Sequence, residues 1–179
     1  MSMDGLARRA GVGKSAHYHR SSSKVEMAAG VLSVLSVTDQ PALDTGSLED
    51  DIRALLTDIL NWLNTPQIRR ISPDLLAEAQ RNPTLADAMM DHVGGPRRLR
   101  AQEVLDRAAS RGELSASADQ DLILDLCGAL IFWRLIALSR PVTQSYLDKV
   151  AAVILGVGRG GLAAPPGGVA TTSTGDGRA

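Results

Sequence analysis

Apolar residues recur every three or four positions along most of this chain, and no segment alternates apolar and polar residues with period two for any length. Helical spacing places such side chains on one face of a helix, whereas period two would indicate a strand. The clearest run is Leu48, Ile52, Leu55, Leu56, Ile59, Leu60 and Leu63. We therefore predict an all-α protein. Its hydrophobic content of 44% is enough for a sizeable core, built with few aromatic residues (3%).

Short polar residues placed before prolines mark the expected helix starts. A Ser, Thr or Asn side chain can accept a hydrogen bond from the first helical turn, and proline at the first position lacks an N–H that would be unpaired anyway. The signatures are Thr65-Pro66, Ser72-Pro73 and Asn82-Pro83, with Ser47 before the first apolar run and Thr143 before the last. They predict several short helices in the middle of the chain, and Gly94-Gly95-Pro96 predicts a further break.

A long apolar helix is expected over about 119–139, capped by Ser117 with Gln120. Its apolar stretch is interrupted by Asp125 and Arg134, and it is too short and too charged to cross a bilayer comfortably. We therefore expect this helix to be packed by protein on several sides.

Residues 2–24 have the sequence form of a helix-turn-helix. Ser2 can cap a first helix that ends at Gly11, and a second helix over about 14–20 follows the turn at Val12-Gly13. This region carries five Lys or Arg residues against one Asp, a net charge of +4, whereas the whole chain carries −1. Only this end of the chain therefore suits the phosphate backbone of DNA.

The run from Met3 to Lys14, followed by Tyr18 and Ser23-Lys24, resembles the tetracycline-repressor-like (TetR) family, and residues 75–161 resemble its C-terminal domains. The resemblance implies an all-helical, ligand-responsive transcriptional regulator, a repressor that binds double-stranded operator DNA as a homodimer. Its N-terminal domain would bind the DNA, and its C-terminal domain would bind a small effector and dimerise. By the same resemblance, the residues at the DNA are Gly13, Lys14, Ser15, Tyr18, His19 and Lys24.

Several features depart from the family pattern. The family has a further helix before Met3 that this sequence lacks, and His17 and Ser21 stand where the family has apolar or aromatic residues. An unpaired polar group buried there would cost about 1–3 kcal/mol. We therefore expect weak DNA binding by the chain as given, rescued by restoring a first helix. The alternative is a dimeric helical small-molecule-binding protein that has lost autonomous DNA binding.

The chain divides into three expected regions. Residues 1–37 hold the partial helix-turn-helix domain with a linking helix over 25–37, and residues 38–158 form a helical effector-binding and dimerisation domain. Residues 159–179 are mostly Gly, Pro, Ala, Ser and Thr, which predicts a disordered tail.

An effector pocket is expected between the helix at 48–63 and the region 75–93. Its side chains are mostly apolar and adaptable, with few polar groups, which favours a small and mostly hydrophobic ligand with little charge. The candidate residues are Leu56, Ile59, Leu60, Leu63, Leu76, Gln80, Met89, Met90, His92 and Val93.

A homodimer is expected through the last two helices, which offer more apolar surface than one core needs. Two helices from each subunit would form an isologous four-helix interface. The candidate residues are Leu122, Leu126, Ala129, Leu130, Trp133, Ile136, Ala137, Leu147, Val150, Ala151 and Ile154.

The remaining polar residues suggest no chemistry of their own. The sequence lacks a catalytic constellation, a glycine-rich phosphate loop and a zinc-binding pattern, so we predict a protein that is not an enzyme and uses neither a metal nor a cofactor. Cys127 lies among apolar residues and is predicted to be buried. His92 is expected at an exposed helix end, and Arg97, Arg98 and Arg100 on a solvated face. The absence of a secretory signal predicts a cytoplasmic protein.

Overall fold

The computed structural model describes residues 42–161, and every regular element in that range is helical, which confirms the all-α class. The α-helices are α1 (Leu48–Leu63), α2 (Pro66–Ala79), α3 (Pro83–Met89), α4 (Gly95–Ser110), α5 (Gln120–Phe132) and α6 (Gln144–Gly158). A π-helical turn, Met90–Gly94, joins α3 to α4, and a second, Trp133–Ala137, extends α5. None of these helices is long and apolar enough to span a membrane.

Helix α1 lies at the centre of the packing, in contact with α2, α4, α5 and α6. Its buried stripe includes Ile52 and Leu56, which share one cluster with Val104 of α4, Ile131 of α5 and Ile154 of α6. Each large apolar side chain taken out of water contributes about 1.5–3 kcal/mol. The predicted apolar run of α1 is therefore the part of the sequence around which the other helices assemble.

Three predicted caps are present. Ser47, Asn82 and Thr143 each accept a hydrogen bond from a backbone N–H in the first turn of α1, α3 and α6, respectively. Thr65 also precedes a helix with proline at its first position, but its hydroxyl donates back to α1 instead of capping α2. The capping side chains satisfy helix-end N–H groups that have no partner within the helix.

The helix start predicted at Ser72-Pro73 is wrong, because α2 runs through this site without interruption. Ser72 is buried, and its hydroxyl donates to the carbonyl of Ile68 at 2.7 Å, so it bonds to the preceding turn. Pro73 removes one backbone donor from the helix. Ile68 and Leu75, on either side of it, are both buried, so packing of the apolar face offsets the loss.

The break predicted at Gly94-Gly95-Pro96 is also wrong, because the first π turn continues directly into α4. A Cβ on Gly94 would lie 2.9 Å from Sδ of Met90, and a Cβ on Gly95 would lie 3.0 Å from the Met90 carbonyl oxygen. The two glycines therefore permit a wide turn that larger residues would crowd.

The long apolar helix starts and ends differently from the prediction. Asp119, not Ser117, caps α5, and its carboxylate accepts a hydrogen bond from the N–H of Leu122 at 3.0 Å. Farther along, the helix widens into the second π turn and ends at Ala137, two residues before Ser139, which has a φ of 50°. The helix is therefore not a uniform α-helix over the predicted span.

A network of charged groups joins the N-terminus of α1 to the end of α4. Asp51 is fully buried, and its carboxylate accepts hydrogen bonds from the Thr45 N–H at 2.7 Å and from Arg111 Nη2 at 3.0 Å. Arg111 also donates to Glu113, whose carboxylate accepts from the N–H of Leu48, the first residue of α1. The network therefore pairs a buried charge and satisfies a helix-end N–H together.

These contacts also set the ionisation of the two carboxyl groups. Burial raises the pKa of Asp51, but hydrogen bonds from Thr45 and the Arg111 guanidinium lower it by more, so the pKa lies below its usual value. The Leu48 N–H and Arg111 lower the pKa of Glu113 in the same way. Their ionised forms stabilise the folded state above the ordinary carboxyl pKa of about 4, and this stabilisation is lost as the pH falls through the lowered values.

Asp51→Asn is expected to lower the free energy of unfolding by about 1–3 kcal/mol at neutral pH, because the amide keeps the shape but loses the charge-assisted hydrogen bonds. Stability should also depend less on pH below about pH 5. Urea unfolding at several pH values measures both effects. Asp44→Asn is the matched control, since Asp44 is an exposed carboxylate 3.4 Å from the same Arg111 and should change little. Equal losses from the two variants would contradict the role of the buried carboxylate.

Candidate functional site

The residues implied to contact DNA lie outside the described range of 42–161. They are Gly13, Lys14, Ser15, Tyr18, His19 and Lys24, and the expected linking helix over 25–37 also lies outside that range. These assignments stay predictions from the sequence.

An apolar stripe covers one face of α5 and the second π turn. Every member of it is at least partly exposed, and Trp133 is 59% exposed. The stripe comprises Leu122, Leu126, Ala129, Leu130, Trp133, Ile136 and Ala137, which are the residues predicted for the subunit contact on this helix. The adjoining face of α5 holds Ile123, Cys127 and Ile131, which are buried in the protomer core. Helix α5 is therefore apolar both where it is buried in the core and on a side that is partly exposed.

The four α6 residues predicted for the same contact are placed elsewhere. Leu147, Val150, Ala151 and Ile154 are all buried against the protomer's own core, so they are not available to a second copy in this structure. The exposed apolar side of α6 instead presents Val153. The side of α6 that is open to another molecule is therefore the one with Val153, because the predicted face is covered by the protomer's own core.

A groove of about 370 Å³ lies between the exposed sides of α5 and α6. Its lining is mostly apolar and continues the α5 stripe across to α6. The lining residues are Leu122, Leu126, Val153, Gly156, Val157 and Gly161. The stripe and the groove together form one surface, which we call the α5–α6 face.

The residues predicted for the effector pocket do not share one environment. Leu56, Leu63 and Val93 are buried in the core, whereas Ile59, Leu60 and Met89 are half-buried against it. The exposed members are Leu76, Gln80, Met90 and His92. His92 is exposed as expected, but it lies within the first π turn, which continues into α4, and not at a helix end.

Two side chains next to this region form a contact that the sequence did not indicate. The guanidinium of Arg97, in the first turn of α4, lies over the indole ring of Trp62 near the end of α1, 3.5 Å from the ring centroid. The indole N–H of Trp62 and the Nε of Arg97 are buried and have no hydrogen-bond partner. Burial, together with repulsion from Arg100, lowers the pKa of Arg97 to about 10, and Asp58 opposes this shift. Arg97 remains a cation at neutral pH.

The other arginines of this cluster bind carboxylates of neighbouring helices. Arg98 contacts Asp125 at 2.7 Å and Asp121 at 2.8 Å on α5, and Arg100 contacts Asp58 of α1 at 3.1 Å. The expectation of a solvated face is therefore wrong for Arg97 and Arg100, which are half-buried at the α1–α4 contact. Asp58 and Trp62 are four residues apart, so they lie on the same side of α1. That spacing was the sequence signal that could have indicated a contact with the arginines.

Residues 42–161 thus form an all-helical domain with a partly exposed apolar α5–α6 face. Among residues 42–161, no group of three or more His, Cys, Asp or Glu side chains is placed to hold a metal ion. The tetracyclin repressor-like C-terminal domain model matches residues 42–154. The chain belongs to the TetR family of transcriptional regulators, which confirms the resemblance found in the sequence and agrees with a protein that is not an enzyme.

Relatives match over most of the chain. An HTH-type transcriptional regulator of Mycobacterium bovis is 32% identical over 86% of this chain and 74% of its own length. The DNA-binding transcriptional repressor TetR of Mycobacteroides abscessus is 28% identical over 86% of this chain and 80% of its own length. The regulator YdeS of Bacillus subtilis is 29% identical over 88% and 79%, respectively.

The Cys127 thiol is expected to be unreactive in the folded protein. It is buried, as predicted, and burial raises its pKa to about 12, so little thiolate exists at pH 8. A thiol reagent such as DTNB should label it only in urea concentrations that unfold the chain. Rapid labelling without urea would contradict the packing of α5 described above.

Proposed function

We propose that this protein is a ligand-responsive transcriptional repressor that binds operator DNA as a homodimer in the cytoplasm. Membership in the TetR family supports regulation of transcription, and a relative from Mycobacteroides abscessus is named a DNA-binding transcriptional repressor. The DNA contacts are assigned to the basic N-terminal segment, with Lys14 and Lys24 among them. Two such segments, one from each subunit, would bind half-sites about one helical turn apart.

The observation that carries the dimer proposal is the exposed apolar stripe of the α5–α6 face. An exposed and contiguous apolar surface of this kind marks an interaction site on a soluble protein. A second copy related by two-fold symmetry would bring α5 and α6 of each subunit into one four-helix contact. Trp133 is the large aromatic anchor of that contact, a residue type enriched in interface hot spots.

The proposed response to a ligand uses the connection between the two domains. Leu43 precedes α1 and is held by α4, since Arg107 Nη2 donates to its carbonyl at 2.6 Å. Thr45 is held by Asp51 in the network described above. A ligand that binds against α1 and α4 would therefore shift the residues that follow the expected linking helix. Such a shift changes the separation of the two DNA-binding segments, and a small change removes their fit to both half-sites.

The effector site is proposed at the side of α1 that faces α4. Half-buried Ile59, Leu60 and Met89 supply apolar, adaptable contacts there. These contacts favour a small organic molecule with a mostly apolar body.

Trp133→Asp is expected to convert the dimer to monomer at micromolar concentration, because a carboxylate would be buried at the centre of the contact. Sedimentation velocity measures the change. Leu99→Asp is the matched control, since Leu99 is 62% exposed and Trp133 is 59% exposed, but Leu99 lies on α4 outside the α5–α6 face. A wild-type chain that sediments as a monomer would overturn the dimer proposal.

Lys24→Gln is expected to weaken binding to DNA from upstream of the protein's own gene at every salt concentration, and to reduce the salt dependence by roughly one counterion per subunit. Mobility shifts across a salt series measure both. Lys149→Gln on α6 is the control, since this exposed lysine belongs to the other domain. The assay is run with the chain as given and with an in-frame N-terminal extension. Absence of specific binding by both forms would support the alternative, a dimeric small-molecule-binding protein without autonomous DNA binding.

A further inference from the structure

The Arg97–Trp62 contact leaves two hydrogen-bond donors unsatisfied inside the proposed effector site. Among residues 42–161, Arg97 has neither an ion pair nor a hydrogen-bond acceptor, and its guanidinium lies on the ring of Trp62. The indole N–H of Trp62 is likewise buried without an acceptor. Because these groups are in contact, an acceptor that reached one of them would lie near the other.

The Nε atoms of Arg100 and Arg107 on the same helix are also buried without a hydrogen-bond partner, but both side chains bind acceptors through another nitrogen, which Arg97 does not in the described part of the chain. Arg98, the next residue, bridges two carboxylates of α5, and Arg100, one turn later, contacts Asp58. A half-buried guanidinium without a partner costs free energy, since its lost hydration is not replaced. The lowered pKa of Arg97 reflects the same cost.

We propose that Arg97 and Trp62 bind the acidic group of the effector, and that the effector is an organic anion, such as a carboxylate, with an apolar body. This inference rests on the proposed ligand-responsive function and changes the expectation of a ligand with little charge. A guanidinium donates two hydrogen bonds to a carboxylate in a fork geometry, and the indole N–H adds a third donor. The buried donors have already lost their water, so an incoming acceptor would displace none from them.

The neighbouring residues fit the rest of such a ligand. Ile59 lies one turn before Trp62 on α1, and Val93 lies one turn before Arg97 at the end of the first π turn. The acidic group would therefore sit beside apolar side chains on both elements. This combination of a few convergent polar groups with an apolar wall is typical of small-molecule sites.

The test uses paired probes that share an apolar body and differ in the polar group, a carboxylate in one and a neutral hydroxyl in the other: decanoate against 1-decanol, and 2-naphthoate against 2-naphthol. The full chain contains two tryptophans, so a ¹H–¹⁵N spectrum of the labelled protein reports each indole N–H separately. At least one of the two anions is expected to move the indole signal of Trp62 downfield, because its N–H gains an acceptor. The signal of Trp133 serves as the internal reference. Calorimetry gives the affinities.

Three variants separate the anion contact from general packing. Arg97→Gln should weaken binding of the responding anion by about ten-fold or more, the effect of losing a hydrogen-bonded charge, while its neutral counterpart binds as before. Trp62→Phe keeps an aromatic ring under the guanidinium and removes only the N–H, so it should weaken the anion less. Arg98→Gln, which alters an exposed arginine paired with α5, should leave both affinities unchanged.

Each result decides the proposal. An anion that binds through Arg97 and shifts the Trp62 signal supports it. The proposal is overturned if neither anion moves that signal, if Arg97→Gln affects both members of a pair equally, or if Arg97→Gln weakens self-association without changing anion affinity. Failure of the proposed repressor function would give a different result from failure of the anion site. In that case the anion would bind through Arg97 but would leave the mobility shift on DNA unchanged.

Discussion

Burial of helix α1 is the constraint on which the other helices depend. Its apolar stripe, with Ile52 and Leu56 at the centre, is covered by α4, α5 and α6. Helix α4 runs antiparallel to α1, because its first turn meets Trp62 and its last turn meets Asp51. The apolar contacts therefore fix the distance between these helices, and the charged groups at the two ends fix their register. The proposed ligand site and the connection toward the N-terminal segment lie at opposite ends of one helix pair.

The local elements of this fold were predictable because they rest on local physics. Periodicity located α1, and the caps at Ser47, Asn82 and Thr143 located helix starts, since each signal involves neighbouring residues only. The helix start predicted at Pro73 was wrong, because the packing of α2 outweighs the loss of one hydrogen bond. The π turns were not predicted, because the residues around the extra residue of a π turn have the same composition as residues at a helix break.

The candidate site was harder to predict, because it depends on which helices meet. The apolar face of α6 was equally compatible with a second subunit and with the protomer's own core, and only the packing of Ile154 distinguishes them. Arg97 and Trp62 are far apart in the chain, and each alone is compatible with a surface position. Their contact, and the absence of an acceptor for either, exist only in the assembled structure. The basic N-terminal segment was identified from its charge and motif, which need no tertiary contact.

The first π turn has a consequence for the geometry of the ligand site. A residue added within a continuous helix turns everything beyond it by about 100° around the helix axis. The direction in which α4 presents its arginines is therefore set partly by the turn at Met90–Gly94 and not by α4 alone. Small residues at Gly94 and Gly95 leave room for this wide turn. The same helix with one residue fewer would keep its composition and apolar content, but Arg97 would face away from Trp62. In this region, the direction in which a side chain points around the helix axis depends on the π turn, so an alignment of residue types does not determine it.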